Sequence, residues 1–211
     1  MRSRKERLQN SRLYLILDRE VNSYEELFKI VQKATAAGVD IIQLRDKFGT
    51  AQEILDFSKR IRSLIRGRVL YIINDRVDLA ILAKADGVHV GQEDIRIKEA
   101  KKLLGKDFLI GASCQTMAQA KKAQVEGADY IGFGSIFRTL TKPERIPQNL
   151  RLVKKVFDQT KIPVFAIGGI GLKNISQLTA CGINRVSLCR AVCCANNIYE
   201  TILQFKEKLR K

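Results

Sequence analysis

The stretch "VLYIINDRVDLAILAKADGVHVGQED", Val69 to Asp94, decides how the chain folds. Residues 69–74 are aliphatic or aromatic up to Asn74 and read as a strand. Residues 76–84 carry apolar positions at helical spacing, and "GVHV" at 87–90 is a second short strand. Neither strand alternates apolar with polar residues, as a strand with one wet face would. Near-continuous apolar strands are covered on both sides, which belongs to parallel sheets flanked by helices. Each strand also ends in polar residues: Asn74 and Asp75 after the first, Gly91 to Asp94 after the second.

The same alternation continues outward. Before this stretch come strands at 12–18 and 40–45 and helices at 24–37 and 50–66. After it come strands at 108–113, 130–135, 164–169 and 185–190, and helices at 95–104, 116–126, 149–158, 172–181 and 197–209. Gly38, Gly105, Gly127 and Gly182 stand where four helices stop. Eight such β/α units predict an α/β fold, a (β/α)8 TIM barrel, as a single domain over 1–211. Residues 1–11 would form a short N-terminal helical extension. An open doubly wound sheet is the runner-up; no G-x-G-x-x-G follows the first strand, which counts against it.

The 211 residues are 45% hydrophobic, enough for one core. No apolar run reaches the roughly 18 residues of a membrane span, and the charged N-terminal segment lacks the apolar stretch of a signal peptide. A cytoplasmic protein with no membrane partner is expected. The five cysteines show no C-x-x-C spacing and read as reduced, small core residues. The formal charge of +16 raises nucleic acid as a partner. The basic residues are scattered, however, without a dense run or interleaved aromatics, and phosphorylated small molecules explain the charge as well.

Barrels of this kind carry their active sites at the C-terminal ends of the strands. Those ends hold Gln43, Arg45 and Lys47; Asn74 and Asp75; Asp94; Ser113; then Thr139, Thr141 and Lys142 in "FGSIFRTLTK"; Gly168 and Gly169; and Cys189 and Arg190. Cations and hydroxyls beside bare glycine backbone suit phosphate oxygens. "AIGGIGLKN" places glycines before a helix start, where free N–H groups favour an anion. Asp75 and Asp94 would repel a phosphate unless a hard cation lay between them. Mg2+ fits, because it takes one or two carboxylates and completes its shell with phosphate and water. The plain alternative is that Asp75 and Asp94 cap the helices that follow them. His89, the one histidine, sits within a strand and reads as structural.

Six fragments in order, "QLRDK", "INDRVDLA", "ADGVHVGQED", "IGAS", "ADYIGFGSIFRTLTK" and "PVFAIGGI", make residues 12–195 resemble the thiamine-phosphate synthase family. The resemblance implies a (β/α)8 barrel that joins hydroxymethylpyrimidine diphosphate to thiazole phosphate, using Mg2+ and releasing pyrophosphate. It implies that Gln43, Arg45, Lys47 and Asn74 bind the pyrimidine diphosphate, that Ser113 touches the pyrimidine, and that Asp75 and Asp94 hold Mg2+. Lys142 would grip the diphosphate, and Thr139, Thr141, Gly169, Cys189 and Arg190 would receive the thiazole phosphate. Lys142, Arg45 and Ser113 are the expected catalytic residues of a dissociative displacement.

The chain departs from the family pattern in places. Arg190 stands where a serine is usual, Arg138 where a proline is usual, and "PERIPQN" after Lys142 is short. Gln115 stands where a histidine is frequent, which argues against the related thiazole tautomerase. Two alternatives are kept: a catalytically altered paralogue that binds such ligands, and a basic nucleic-acid-binding barrel motivated by charge alone. Homo-oligomerisation is left open.

Overall fold

The computed structural model describes residues 2–141 and 143–210. Helices and strands alternate as α1 (Arg4–Asn10), β1 (Leu13–Asp18), α2 (Tyr24–Ala36), β2 (Ile41–Arg45), α3 (Ala51–Ile65), β3 (Leu70–Asn74), α4 (Val77–Leu82), β4 (Gly87–Val90) and α5 (Ile97–Leu104). They continue as β5 (Leu109–Cys114), α6 (Met117–Glu126), β6 (Tyr130–Phe133), α7 (Leu150–Gln159), β7 (Val164–Ile167), α8 (Ile175–Thr179), β8 (Val186–Leu188), α9 (Arg190–Cys193) and α10 (Ile198–Arg210). Each strand pairs in parallel with the next, and β8 pairs with β1, so the sheet closes into the expected (β/α)8 barrel.

Local chemistry starts the helices. Ser3 with Glu6, Ser23 with Glu26, Thr50 with Glu53 and Thr116 with Gln119 form reciprocal capping boxes at α1, α2, α3 and α6. Each satisfies two backbone donors that a helix start leaves unpaired. Gly105 and Gly127 end α5 and α6 with positive φ.

Apolar strands conceal a period of two that the barrel makes visible. Leu15, Leu17, Ile42, Leu44, Tyr71 and Ile73 point outward and pack under the helices. Tyr14, Ile16, Ile41, Leu70, Ile72, Leu109, Tyr130 and Phe165 point inward and fill the barrel. Climbing each strand, the inward positions turn polar: Tyr14 and Ile16 lead to Asp18, Ile41 to Gln43 and Arg45, Leu70 and Ile72 to Asn74. The polar end is the C-terminal end.

α1 closes the other end. Leu8 is buried within the inner cluster beside Ile41, Leu70 and Leu109, the first inward residues of their strands. Burying such a side chain stabilises by about 1.5–3 kcal/mol. Ion pairs latch the helix in place: Arg4 to Asp86 at 2.9 Å and Lys5 to Asp129 at 3.1 Å. Asp86 and Asp129 in turn accept the amides of Tyr71 and Ile110 at the strand starts.

The late strands are shorter than expected. β6 ends at Phe133, β7 at Ile167 and β8 at Leu188. Gly168 and Gly169 adopt φ of +102° and +63°, which no strand uses. α8 is also shorter than its 172–181 expectation, because the Asn174 side chain bonds to Gly171 N–H and Gly169 C=O and holds that segment as a turn. α9 was not expected at all: Arg190 opens a helix instead of ending a strand. No helix among the described residues is long and apolar enough to cross a membrane.

Candidate functional site

The inward polar positions open into a cleft of about 950 Å3, counting space continuous with solvent, at the C-terminal end of the barrel. Of the expected residues, Gln43, Arg45, Asn74, Ser113, Thr139, Thr141, Gly169, Cys189 and Arg190 line it. Lys142 lies outside the described residues. Lys47, Asp75 and Asp94 lie off the cleft wall, joined to it through Asn74.

Strand register fixes Arg45. It stands directly opposite Asp18 in the β1–β2 pairing. One guanidinium nitrogen donates to both Asp18 carboxylate oxygens at 2.9 Å and to Glu20 at 2.8 Å. Burial alone would lower the arginine pKa, but Glu20 and Asp18 outweigh it and hold it above the ordinary value. The cation is therefore permanent and fixed. Asp18 was missed in the sequence; the signal was an acid closing "LYLILD" beside the arginine that closes the next strand.

Asp75 follows β3 with a left-handed φ of +59°, its N–H donating to the His89 carbonyl at 2.8 Å. Its carboxylate accepts from Asn74 at 2.6 Å and is ion-paired with Lys47. Burial pushes the Asp75 pKa up, the nearby Asp94 carboxylate adds to this, and Lys47 opposes it; the net direction is upward. Asp94 accepts from the Gly91 N–H at 2.8 Å. Neither aspartate caps a helix: α4 and α5 start at Arg76 and Arg96 without a side-chain cap bond. Two carboxylates drawn together, one of them resisting ionisation, form a donor set that suits a hard cation. Among the described residues no third His, Cys, Asp or Glu completes a larger metal cluster.

Across the cleft, the loops after β6 and β7 pack backbone against backbone. Ile136 N–H donates to Ile167 C=O and Phe137 N–H to Gly168 C=O, both at 2.9 Å. A Cβ on Gly168 would strike Ser135, and one on Gly169 would strike the Arg138 carbonyl. The Gly169 and Ile170 amides donate to no other group among the described residues, so they remain available to an anion. Thr139 and Thr141 line the same cleft and bond to each other, with Thr141 N–H donating to the Thr139 hydroxyl at 3.3 Å. Arg138 is exposed and lies off the cleft wall. Arg145 lines the cleft instead, with the Gln115 amide oxygen accepting from its guanidinium at 3.2 and 3.3 Å. Nothing in the sequence pattern singled Arg145 out, because "PERIPQN" has no periodicity to orient it.

His89 proves to be more than packing. It packs against Tyr130 with the rings tilted by 36° and their centroids 5.5 Å apart, and it also lines the cleft. Its Nε2 lies 3.0 Å from the Ser113 hydroxyl and its Nδ1 3.3 Å from the Tyr130 hydroxyl. Tyr130 and Tyr14 share a bond of 2.9 Å, and Gln43 donates to Tyr14 at 2.6 Å. Complete burial holds both phenols well above their ordinary pKa.

Comparison with known proteins gives a consistent result. A family model described as thiamine monophosphate synthase matches residues 13–192. A thiamine-phosphate synthase of Gloeobacter violaceus is 40% identical over 206 residues, covering 97% of this chain and 59% of that protein. One from Clostridioides difficile is 36% identical over 199 residues, covering 94% and 95%. The solved structure of a thiamine phosphate pyrophosphorylase from Pyrococcus furiosus superposes with a TM-score of 0.85 at 32% identity, covering 98% and 97%. The chain thus spans about three-fifths of the length of its Gloeobacter relative and nearly all of the Clostridioides one. With the match running from the first barrel strand into α9, this chain belongs to the thiamine monophosphate synthase family.

Proposed function

We propose that the protein, acting as one barrel unit, is a thiamine-phosphate synthase that joins hydroxymethylpyrimidine diphosphate to thiazole phosphate and releases pyrophosphate. The observation that carries this reading is the cleft's division into two poles. Gln43, Arg45 and Ser113 form one pole, with the Asp75–Asp94 pair beside it; the Gly168–Gly169 loop and Arg190 form the other.

Gln43 and Ser113 hold the pyrimidine, while Arg45, Lys47, Asn74 and Lys142 hold its diphosphate. Asp75 and Asp94 would hold Mg2+, which when bound neutralises charge on the departing diphosphate. As the C–O bond breaks, its electron pair leaves with the diphosphate, and Arg45, held by Asp18 and Glu20, together with Lys142 stabilises the developing charge. The aminopyrimidine ring stabilises the resulting benzyl-like cation. The thiazole nitrogen then forms the new C–N bond with its lone pair, its phosphate held by Thr139, Thr141, Gly169, Cys189 and Arg190. No side-chain nucleophile is required. Both substrates are small and charged, and a cytoplasmic setting is part of the same reading.

The test is to incubate the purified protein with both substrates and Mg2+ and to measure thiamine monophosphate by mass. Product that depends on all three components is expected. Tight binding of either substrate without product would replace this reading with that of a binding paralogue. Salt-sensitive RNA binding in preference to either substrate would replace it with a nucleic-acid-binding barrel.

A further inference from the structure

We propose that Tyr14, Tyr130 and His89 form a directional hydrogen-bond chain, set at Gln43, that makes Ser113 a hydrogen-bond donor to the substrate and the Gln43 carbonyl an acceptor. The chain crosses the barrel interior through five strands: Gln43 on β2, Tyr14 on β1, Tyr130 on β6, His89 on β4 and Ser113 on β5. Its successive heavy-atom distances are 2.6, 2.9, 3.3 and 3.0 Å. Tyr14, Tyr130 and His89 are positioning residues: the two ends, Gln43 and Ser113, make the hydrogen bonds to the ligand. The ligand side of the inference rests on the synthase reading; the chain itself does not.

The direction follows from counting protons. Each phenol is buried and protonated, so each oxygen carries one proton to give. The Gln43 amide nitrogen already donates to the Tyr14 oxygen. Among the described residues the other partner of the Tyr14 hydroxyl is Tyr130, so the Tyr14 proton points there. Tyr130 has then accepted from Tyr14 and must give its own proton to His89 Nδ1. That nitrogen accepts only if bare, which places the ring proton on Nε2. The Nε2–H donates to the Ser113 oxygen, and the Ser113 proton is left to point into the cleft. At the other end, with its nitrogen turned inward, Gln43 presents its oxygen. Running the chain backwards with Gln43 as it stands would strand the Tyr14 proton without an acceptor, and a buried unpaired donor is costly.

The barrel makes room for this chain. Gly111 on β5 carries no side chain, and a Cβ there would collide with the Tyr130 ring. Tyr14, Tyr130 and Phe165 pack edge to face or tilted around the shared hydroxyls, which fixes both phenol planes.

The consequence is a polarity requirement on the ligand. It must offer a donor to Gln43 and an acceptor to Ser113. An aminopyrimidine does both, with its amino group as the donor and a ring nitrogen as the acceptor. The oxo analogue, with C=O in place of the amino group, presents an acceptor to an acceptor. A site built to hydrogen-bond a group rejects analogues that leave its own polar atoms unpaired.

The chain has a single histidine, so 15N-histidine labelling gives one imidazole. Two-bond 1H–15N correlation of the free protein should show the Nε2–H tautomer. A resting Nδ1–H tautomer would overturn the proposal. Gln43→Glu should reverse the chain, because a carboxylate accepts the Tyr14 proton, and the label should then report Nδ1–H; an unchanged tautomer in that folded variant also overturns it. Tyr130→Phe should remove the fixed tautomer and raise KM for the pyrimidine diphosphate about tenfold, the scale of one well-placed hydrogen bond, with KM for thiazole phosphate changed less than about twofold. Equal rises in both KM values would instead mark Tyr130 as general scaffolding and sink its role here. The tautomer is read without substrate. A wrong tautomer therefore leaves the synthase reading intact, and absent synthase activity leaves the chain intact.

Discussion

Asp75 carries opposed demands in one side chain. Its pKa is raised by burial and by Asp94, so the folded state binds that proton more tightly than the unfolded chain does. The resulting increment of stability is full below the ordinary value of 3.8 and is lost as pH rises through the raised value. At neutral pH the protein without metal is therefore less stable for having this carboxylate. Asp75→Asn should melt at or above the parent temperature in the absence of Mg2+, and should lose the stabilisation that Mg2+ with pyrophosphate gives the parent; calorimetry with and without these ligands checks both. Asp75→Ala and Lys142→Ala should each lower turnover at least about 100-fold, as for groups that stabilise a leaving anion; near-normal steady-state rates in both would remove them from the site. Arg190→Ser should raise the KM for thiazole phosphate, and an unchanged or improved KM would exclude that contact. At this scale the sequence showed the cleft residues that sit at strand ends, because barrel geometry sends strand ends to one face. It did not show Asp18, whose role depends on β1–β2 register, or Arg145, whose orientation depends on a loop. His89 looked purely structural because an unbroken apolar strand does not reveal which of its faces points inward.

Among the elements, helices were the most legible. Four begin with a side chain that caps its own first turn, and the glycines after α5 and α6 stop them locally, so their limits depend little on tertiary packing. The ends of β6, β7 and β8 were harder, since the small residues that follow, Gly134, Gly168 and Cys189, do not mark a strand end in the sequence; after β7 the positive φ of Gly168 and Gly169 makes the break. α9 spans four residues, too few to show a helical period. α1 buries one side chain, Leu8, in the barrel: Leu8→Ala should cost about 2–5 kcal/mol in urea unfolding, the range for a buried leucine truncation. Its effect on KM for either substrate should be small, because the contact lies at the opposite end of the barrel from the cleft.

At the scale of the molecule, a net charge of +16 accompanies a cleft suited to anions. If the charge of +16 draws phosphorylated substrates inward, added salt should lower kcat/KM while leaving kcat nearly constant, since screening over a Debye length of about 10 Å at 0.1 M weakens attraction at a distance. The sealed floor has a further result, one of traffic. With Leu8 and its neighbours plugging the bottom, the barrel is a blind well with a single mouth. Gln43 lies deep and almost wholly buried, while Arg190 stands at the mouth. Whatever rests on the floor must arrive first, and whatever rests at the mouth acts as its stopper. Isotope trapping should therefore find labelled pyrimidine diphosphate committed to product once thiazole phosphate is in place, and thiazole phosphate itself still free to exchange.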